Sequence, residues 1–465
     1  MFKIALVVPS TSLKLASDCS PPLGLAYLAS YVRAKVADVE VKIIDGVAGQ
    51  VPDWEISHFK PDLVGITATT PQAKAAYLLA DNAPKIMPNV TVVLGGPHVS
   101  VMSKEALEHC DYVVVGEGEQ AFADIIKEVM TKGKPKKPQI VQGAPVENLD
   151  VVPSPAYDLL NMEFYLSRRF LEPLMMAPVL GLVTSRGCPF RCAFCYNFGR
   201  SSKVRYFSAK RVVEDLLFLH QKYGVSNFFF QDDEFLINVE RLKELASLFK
   251  AYGIDKWFRW GCQARVTTLN KELLSLVETM GCVLIVPGME SYNPRILKYL
   301  KSGSVKQSDL AQAVKLFEHS KVTLFGNFVV GTPTETLKEM WESVKFFVNS
   351  PSLSSMIVNV LTPYPGTKVW SDCQNAGLLP AKVDYSKLVP TREGGFNVST
   401  VKPKDFNRYL KHVDRITWLF RTVRCKPSLG RFFGLWRAKT WWWMWLVYPN
   451  FMFTLLKQCW RYRRY

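Results

Sequence analysis

Residue types and spacing dictate a chemistry most clearly in the stretch Ser185-Arg186-Gly187-Cys188-Pro189-Phe190-Arg191-Cys192-Ala193-Phe194-Cys195-Tyr196. Its three cysteines, Cys188, Cys192 and Cys195, follow a C-x3-C-x2-C spacing and are entered from an apolar run, Val179 to Val183, that predicts a strand. Such a loop can turn three thiolates toward one point. Three thiolates hold an iron-sulfur cube with one iron left free of protein ligands. A structural zinc takes four protein ligands and a ferredoxin cluster takes four cysteines, so the spacing departs from both. An open iron can bind a substrate or cofactor. The plainer alternative, three core cysteines spaced by chance, leaves Gly187-Cys188-Pro189 and the aromatic flanks of Cys195 unexplained.

The elements that position this loop follow from the rest of the chain. At 465 residues and 48% hydrophobic, it is long enough for two or three domains with cores of their own. Ten cysteines over that length do not make a disulfide scaffold, and an oxygen-sensitive cluster needs a reducing compartment, so the cytoplasm is expected. The N-terminal run Met1 to Pro9 is too short for a signal segment and predicts a first strand. A net charge of +17 would suggest nucleic acid if it were spread evenly. Residues 401–465, however, hold 15 Lys and Arg against two Asp, so about +13 of it lies in the tail and no nucleic-acid partner is expected.

Residues 1–140 alternate apolar runs with helical patterns. Strands are predicted at Ile4–Val8, Val41–Ile44, Leu63–Thr67, Val90–Leu94 and Tyr112–Val115, with helices at Gly24–Val36, Pro71–Ala83, Ser103–His109 and Ala121–Met130. That order predicts a doubly wound parallel sheet, whose ligands bind beyond the strands' carboxyl ends. Three of those ends are rich in glycine or hydroxyls: Gly65 to Thr70, Gly95-Gly96-Pro97-His98, and Gly116-Glu117-Gly118-Glu119. Residues 141–178 read as a connector, preceded by the basic run Lys132 to Lys137, which cannot hold a helix with its prolines. From 179 to 401 a second alternation predicts six strands of a partial barrel, at Val179–Thr184, Asn227–Gln231, Trp257–Cys262, Cys282–Pro287, Leu324–Val330 and Ser355–Leu361. Cys262, Cys282, Cys373, Cys425 and Cys459 lack metal spacing and are read as structural or surface thiols.

The cysteine loop, with Phe194 before and Tyr196 after the last cysteine, resembles the cluster loop of the radical S-adenosylmethionine enzymes. The N-terminal loops, with Pro21-Pro22-Leu23-Gly24-Leu25-Ala26-Tyr27, resemble the cobalamin (B12)-binding domain of the B12-dependent members of that family. The resemblance implies an α/β chain made of a Rossmann-like cobalamin-binding domain and a partial (β/α)6 radical SAM barrel. A basic, Trp-rich helical segment, residues 402–465, follows them. It implies a [4Fe-4S] cluster on Cys188, Cys192 and Cys195, whose free iron chelates S-adenosyl-L-methionine. It also implies cobalamin at Thr67, Thr69, Gly95, Gly96, Gly116, Glu117 and Gly118. By the same resemblance Asp232, Asp233 and Glu234 help to hold the amino group of S-adenosylmethionine. Arg265, Glu290 and Ser291 face its carboxylate and ribose, and Phe194 and Tyr196 flank it. No Asp-x-His-x-x-Gly follows the first strand, so cobalt would lack a protein imidazole; His98 is read as a satisfied loop histidine.

The function expected on this basis is formation of a 5′-deoxyadenosyl radical and methylation of an unactivated carbon, with a flavodoxin or ferredoxin as electron donor. Ring formation without methyl transfer is the alternative, and a non-catalytic cobalamin or redox sensor the alternative of another class. The tail holds seven of the twelve tryptophans beyond residue 410, four of them within Trp441 to Trp445. Its apolar stretch Trp441 to Leu456 is interrupted by Pro449 and falls short of a membrane span. It fits a peripheral position on the inner face of a membrane and a lipid or other apolar small-molecule substrate, or else an aromatic cap on the barrel.

Overall fold

The computed structural model describes residues 1–10, 20–167, 178–196, 203–390 and 396–425. The chain forms two compact units. The first comprises Met1–Phe170, Arg205–Leu219 and Pro363–Val389, and the second Leu171–Val204, His220–Thr362 and Pro390–Tyr465.

In the first unit, six strands form one parallel sheet: β1 (Phe2–Val8), β2 (Val39–Asp45), β3 (Leu63–Thr67), β4 (Thr91–Gly95), β5 (Tyr112–Gly116) and β6 (Gln139–Gly143). Their spatial order is β2-β1-β3-β4-β5-β6. Ile4 pairs with Val41 on one side and Leu63 on the other, so the winding reverses beside β1. The four interior strands, β1, β3, β4 and β5, are largely apolar because helices cover both faces, and Ile4 to Val7 are wholly buried. The sixth strand, an edge strand with mostly exposed side chains, is not among those predicted. Helices at Pro52–Phe59 and Pro97–Val101 were likewise not predicted.

The segment Pro363–Val389 packs back onto this sheet's helices. Tyr385 donates its hydroxyl to Glu105 at 2.9 Å and meets the His98 ring edge-on at 4.6 Å. Gly366, at φ +81°, lies so close to the helix Pro97–Val101 that a Cβ would stand 2.7 Å from the Val101 side chain.

The second unit carries the six predicted barrel strands: β7 (Val179–Leu182), β8 (Asn227–Phe230), β9 (Arg259–Arg265), β10 (Cys282–Glu290), β11 (Thr323–Val330) and β12 (Leu353–Val360). They are parallel and adjacent in chain order, β12-β11-β10-β9-β8-β7. Strands β9 and β10 extend about three residues past their predicted ends. Arg265 and Glu290 are therefore strand-terminal residues and do not lie in flexible loops.

A helix, Pro403–Cys425, closes this unit. Its buried residues Phe406, Tyr409, Leu410, Val413, Ile416 and Phe420 recur at helical spacing and face the barrel. Tyr409 donates to the Met340 carbonyl at 3.1 Å, and Phe420 packs on Phe347. Each such side chain contributes about 1.5–3 kcal/mol by leaving water, so the first third of the basic tail is part of the barrel's packing. The tryptophan cluster lies outside the described residues. No helix among them is long and apolar enough to cross a membrane.

Candidate active site

The cysteine loop leaves β7 through Thr184 and Ser185, and Asp232, just past β8, pins that exit. Its carboxylate accepts from the Thr184 N–H at 2.6 Å, the Thr184 hydroxyl at 2.7 Å and the Ser185 hydroxyl at 2.5 Å. Arg241 donates to the Thr184 carbonyl at 3.1 Å. Gly187 is required at φ +97°, because a Cβ there would stand 2.5 Å from the Lys203 carbonyl. Within the loop the Cys195 N–H donates to the Cys192 carbonyl at 3.1 Å.

The far side of the loop rests on the segment after the helix Pro294–Leu300. The Ala193 N–H donates to the Leu300 carbonyl at 2.9 Å, and the Ser302 hydroxyl to the Arg191 carbonyl at 2.6 Å. Arg265 lies 3.9 Å from the Phe190 ring centre, reaches the Cys192 sulfur at 3.7 Å and donates to the Ser304 carbonyl at 3.3 Å. Lys301, buried at the end of the same segment, pairs with Glu290 at 2.8 Å and stands 5.8 Å from the Phe194 ring centre.

Cys188, Cys192 and Cys195 form no disulfide, and each is half-buried. Burial pushes the Cys188 thiol up to about 11, and Asp233, Cys195 and Glu234 add to the effect. Crowding thiolates here is therefore unfavourable without a cationic centre, and iron supplies one. No group of three or more His, Cys, Asp or Glu among the described residues closes around a single metal ion. A cube places each thiolate on a separate iron, farther apart than the ligands of one ion, so this loop fits a cluster better than a mononuclear metal.

The residues assigned to S-adenosylmethionine divide into two groups. Asp232 is buried and held by Thr184 and Ser185, Glu290 is paired with Lys301, and the Ser291 hydroxyl accepts the Asn293 N–H ahead of the helix Pro294–Leu300. These contacts hold the three side chains in place within the protein. Arg265, also expected to face the cofactor, has its guanidinium occupied by Thr267, Cys192 and Ser304. Asp233 is exposed and Glu234 buried, and both lie within electrostatic reach of Cys188. Burial raises the Glu234 carboxyl to about 7, so a neighbouring ammonium would favour its charged form.

The glycine-rich ends of β3, β4 and β5 lie along one edge of the first unit's sheet. Thr67 is half-buried, and Thr69 caps a short turn through Gln72. Gly96, at φ +96°, is demanded by the backbone, since a Cβ would stand 2.6 Å from the Thr67 hydroxyl. Gly116, at φ +93°, is demanded by the close approach of the Gly143 carbonyl. Gly95 and Gly118 have only ordinary contacts at 3.8 Å or more, so the fold does not require glycine there, and a residue without a side chain lets a ligand approach the backbone. Glu117 pairs with Arg205 and accepts the Val146 N–H at 2.9 Å.

His98 is 2% exposed, with Nδ1 3.2 Å from the Thr70 hydroxyl and Nε2 without a hydrogen-bond partner. Burial lowers its pKa to about 4. Sequence reasoning missed Lys301, Ser302 and Ser304, because nothing in Lys-Ser-Gly-Ser after an apolar helix announces a cradle for a loop a hundred residues earlier.

A family model described as B12 binding domain matches residues 13–126, and one described as Radical SAM superfamily matches residues 182–347. The chain is 36% identical to an uncharacterized methyltransferase of Pyrococcus horikoshii, over 80% of this chain and 83% of that protein. It is 27% identical to the anaerobic magnesium-protoporphyrin IX monomethyl ester cyclase of Cereibacter sphaeroides, over 83% of this chain and 64% of the cyclase. Among solved structures, the radical S-adenosylmethionine methyltransferase TsrM of Kitasatospora setae, with cobalamin and a [4Fe-4S] cluster bound, superposes with a TM-score of 0.66. That match has 16% identity and covers 90% of this chain and 89% of TsrM, a likeness of fold. The cofactors are a [4Fe-4S] cluster, S-adenosylmethionine and cobalamin. The chain belongs to the cobalamin-binding radical S-adenosylmethionine enzymes, in a methyltransferase branch of that family.

Proposed function

We propose that this enzyme methylates an unactivated carbon of a small molecule. The observation that carries the reading is the loop of three cysteines flanked by Arg265 and Lys301, in a chain that also holds a cobalamin-binding unit. When bound, the cluster and S-adenosylmethionine supply a radical able to abstract hydrogen from carbon, and cobalamin supplies the methyl group. The protein's share is placement. Cys188, Cys192 and Cys195 hold the cube. Asp232 and Arg241 fix the loop's entry, and the Leu300 carbonyl and Ser302 fix its far side. Glu234 and Asp233, both within electrostatic reach of Cys188, are the carboxylates that meet the ammonium of S-adenosylmethionine. Gly95 and Gly118 leave room for the corrin and its tail, and buried His98 leaves cobalt without an imidazole from this chain.

The similarity to a cyclase favours a second reading, ring formation without methyl transfer. Product analysis separates the two. Methyl transfer consumes two molecules of S-adenosylmethionine per turnover and yields 5′-deoxyadenosine and S-adenosylhomocysteine in equal amounts. Ring formation yields product with 5′-deoxyadenosine and no S-adenosylhomocysteine. A flavodoxin or ferredoxin serves as electron donor in this reading. The charge and tryptophans of residues 426–465 support a membrane-surface position and an apolar substrate.

A further inference from the structure

We propose that Lys301 positions the iron-sulfur loop and raises the reduction potential of the cluster by presenting a fixed positive charge on the Cys192 side, with Glu290 acting as its anchor and not as a cofactor ligand. This rests on Cys188, Cys192 and Cys195 being the cluster ligands.

Three features of the strand end build this pair. Glu290 sits at φ +55°, a conformation that L residues with long side chains seldom adopt, and it is the last residue of β10. Gly288, two residues earlier, leaves the space the pair occupies: a Cβ there would lie 2.4 Å from the Glu290 carboxylate and 3.0 Å from the Lys301 ammonium. Both side chains are nearly excluded from water, at 5% and 6% exposure, with 2.8 Å between the charges. A buried ion pair gives no stability that a packed apolar pair could not give, and strained backbone concentrates where it serves function. Stability alone therefore does not account for the arrangement.

Its location does. Lys301 directly follows Leu300, whose carbonyl receives the Ala193 N–H, and precedes Ser302, which holds the Arg191 carbonyl. The two residues on either side of Cys192 are thus tied to the two on either side of Lys301. Glu290, 2.8 Å away, holds the ammonium in its charged form and in place. Arg265 reaches the Cys192 sulfur from β9 at 3.7 Å. Positive charge on both sides of the loop, Arg265 at the Cys192 sulfur and Lys301 beside the Phe194 ring, stabilises the cluster more after it has gained an electron than before, so it makes reduction easier.

The test uses the full chain, reconstituted anaerobically, as wild type, Lys301→Arg and the double variant Lys301→Met with Glu290→Gln, which avoids stranding one buried charge. Iron per chain is counted, and the potential is read by reductive titration followed by paramagnetic resonance. The expected result is four irons in all three, a shift to more negative potential in the double variant, and a return to the wild-type value in Lys301→Arg. If the double variant fails to hold iron, Lys301→Gln, which keeps a hydrogen bond to Glu290, must show the same negative shift. A complete cluster with unchanged potential in whichever of these charge-removing variants holds iron overturns the proposal. A shift in Lys301→Arg as large as theirs also overturns it, since packing would then be the cause. Failure of the ligand assignment itself is distinguishable, because the wild-type protein would then not assemble the cluster on this loop.

Discussion

Glu335 offers a direct check on the barrel's electrostatics. It follows β11 and is 1% exposed, with its carboxylate accepting the Gly331 N–H at 2.8 Å and the Thr332 N–H at 2.9 Å. Burial outweighs these donors and raises its pKa from 4.5 to about 7, with Glu339 adding to the rise. A carboxyl with a folded pKa above its unfolded one contributes stability that is complete below the unfolded value and lost as pH rises through the folded value, here between about pH 4.5 and 7. In Glu335→Gln the amide oxygen keeps both backbone donors, and its NH2 can turn to the buried Thr332 hydroxyl. The variant removes the titration but keeps the shape. At about 1.36 kcal/mol per pKa unit, the stability of the variant relative to wild type should move by about 2.5 kcal/mol in the variant's favour between pH 5 and pH 8. For a unit of roughly 200 residues this is a relative gain in Tm of about 5–10 °C, read by thermal unfolding of both proteins at the two pH values. A difference that stays constant across this range would refute the reasoning, since the carboxylate would then be ionised in the folded state at no cost.

Replacing Cys188, Cys192 and Cys195 together by alanine should abolish iron binding and S-adenosylmethionine cleavage, as iron counting and 5′-deoxyadenosine assay would show. Gly95→Ala, whose Cβ would meet nothing nearer than 3.9 Å, should leave apoprotein stability within about 0.5 kcal/mol but reduce cobalamin retention in a binding titration. Gly96→Ala should lower stability by about 1–3 kcal/mol even without cobalamin, because its positive φ and its contacts with Thr67 and Ala68 forbid a side chain. His98→Ala should leave the paramagnetic resonance spectrum of the cob(II)alamin form unchanged, and loss of nitrogen splitting in that variant would put His98 on cobalt. The full chain should float with anionic liposomes while a chain ending at Cys425 sinks; equal behaviour would leave the tail's charge without a membrane role. Truncation at Cys425 keeps the helix Pro403–Cys425, which carries buried core residues.

Eleven of the twelve strands in the two six-stranded sheets were legible because parallel strands buried on both faces are unbroken apolar runs, as in Ile4 to Val8 or Leu324 to Val330. The strand Gln139–Gly143 was not, since an edge strand of Gln-Ile-Val-Gln-Gly buries little and shows no such run. The cysteines were legible from spacing alone. Their support was not, because it comes from pairs far apart in sequence: Asp232 with Thr184, Lys301 with Glu290, Ser302 with Arg191. A glycine's purpose was also hidden. Gly95 and Gly116 look alike in sequence, yet one meets only ordinary contacts and the other the close carbonyl of the neighbouring strand.

The return of Pro363–Val389 to the first unit has a consequence for how the chain is made. The helix Pro97–Val101 and the ring of His98 are covered only when Gly366 and Tyr385 arrive. Those residues leave the ribosome more than 250 positions after the sheet edge they seal. At about 5–20 residues per second, translation leaves that edge incomplete for roughly ten seconds to a minute. The cobalamin-binding unit thus begins to form first, yet gains its last wall only after the cysteine loop and all six barrel strands have been synthesised.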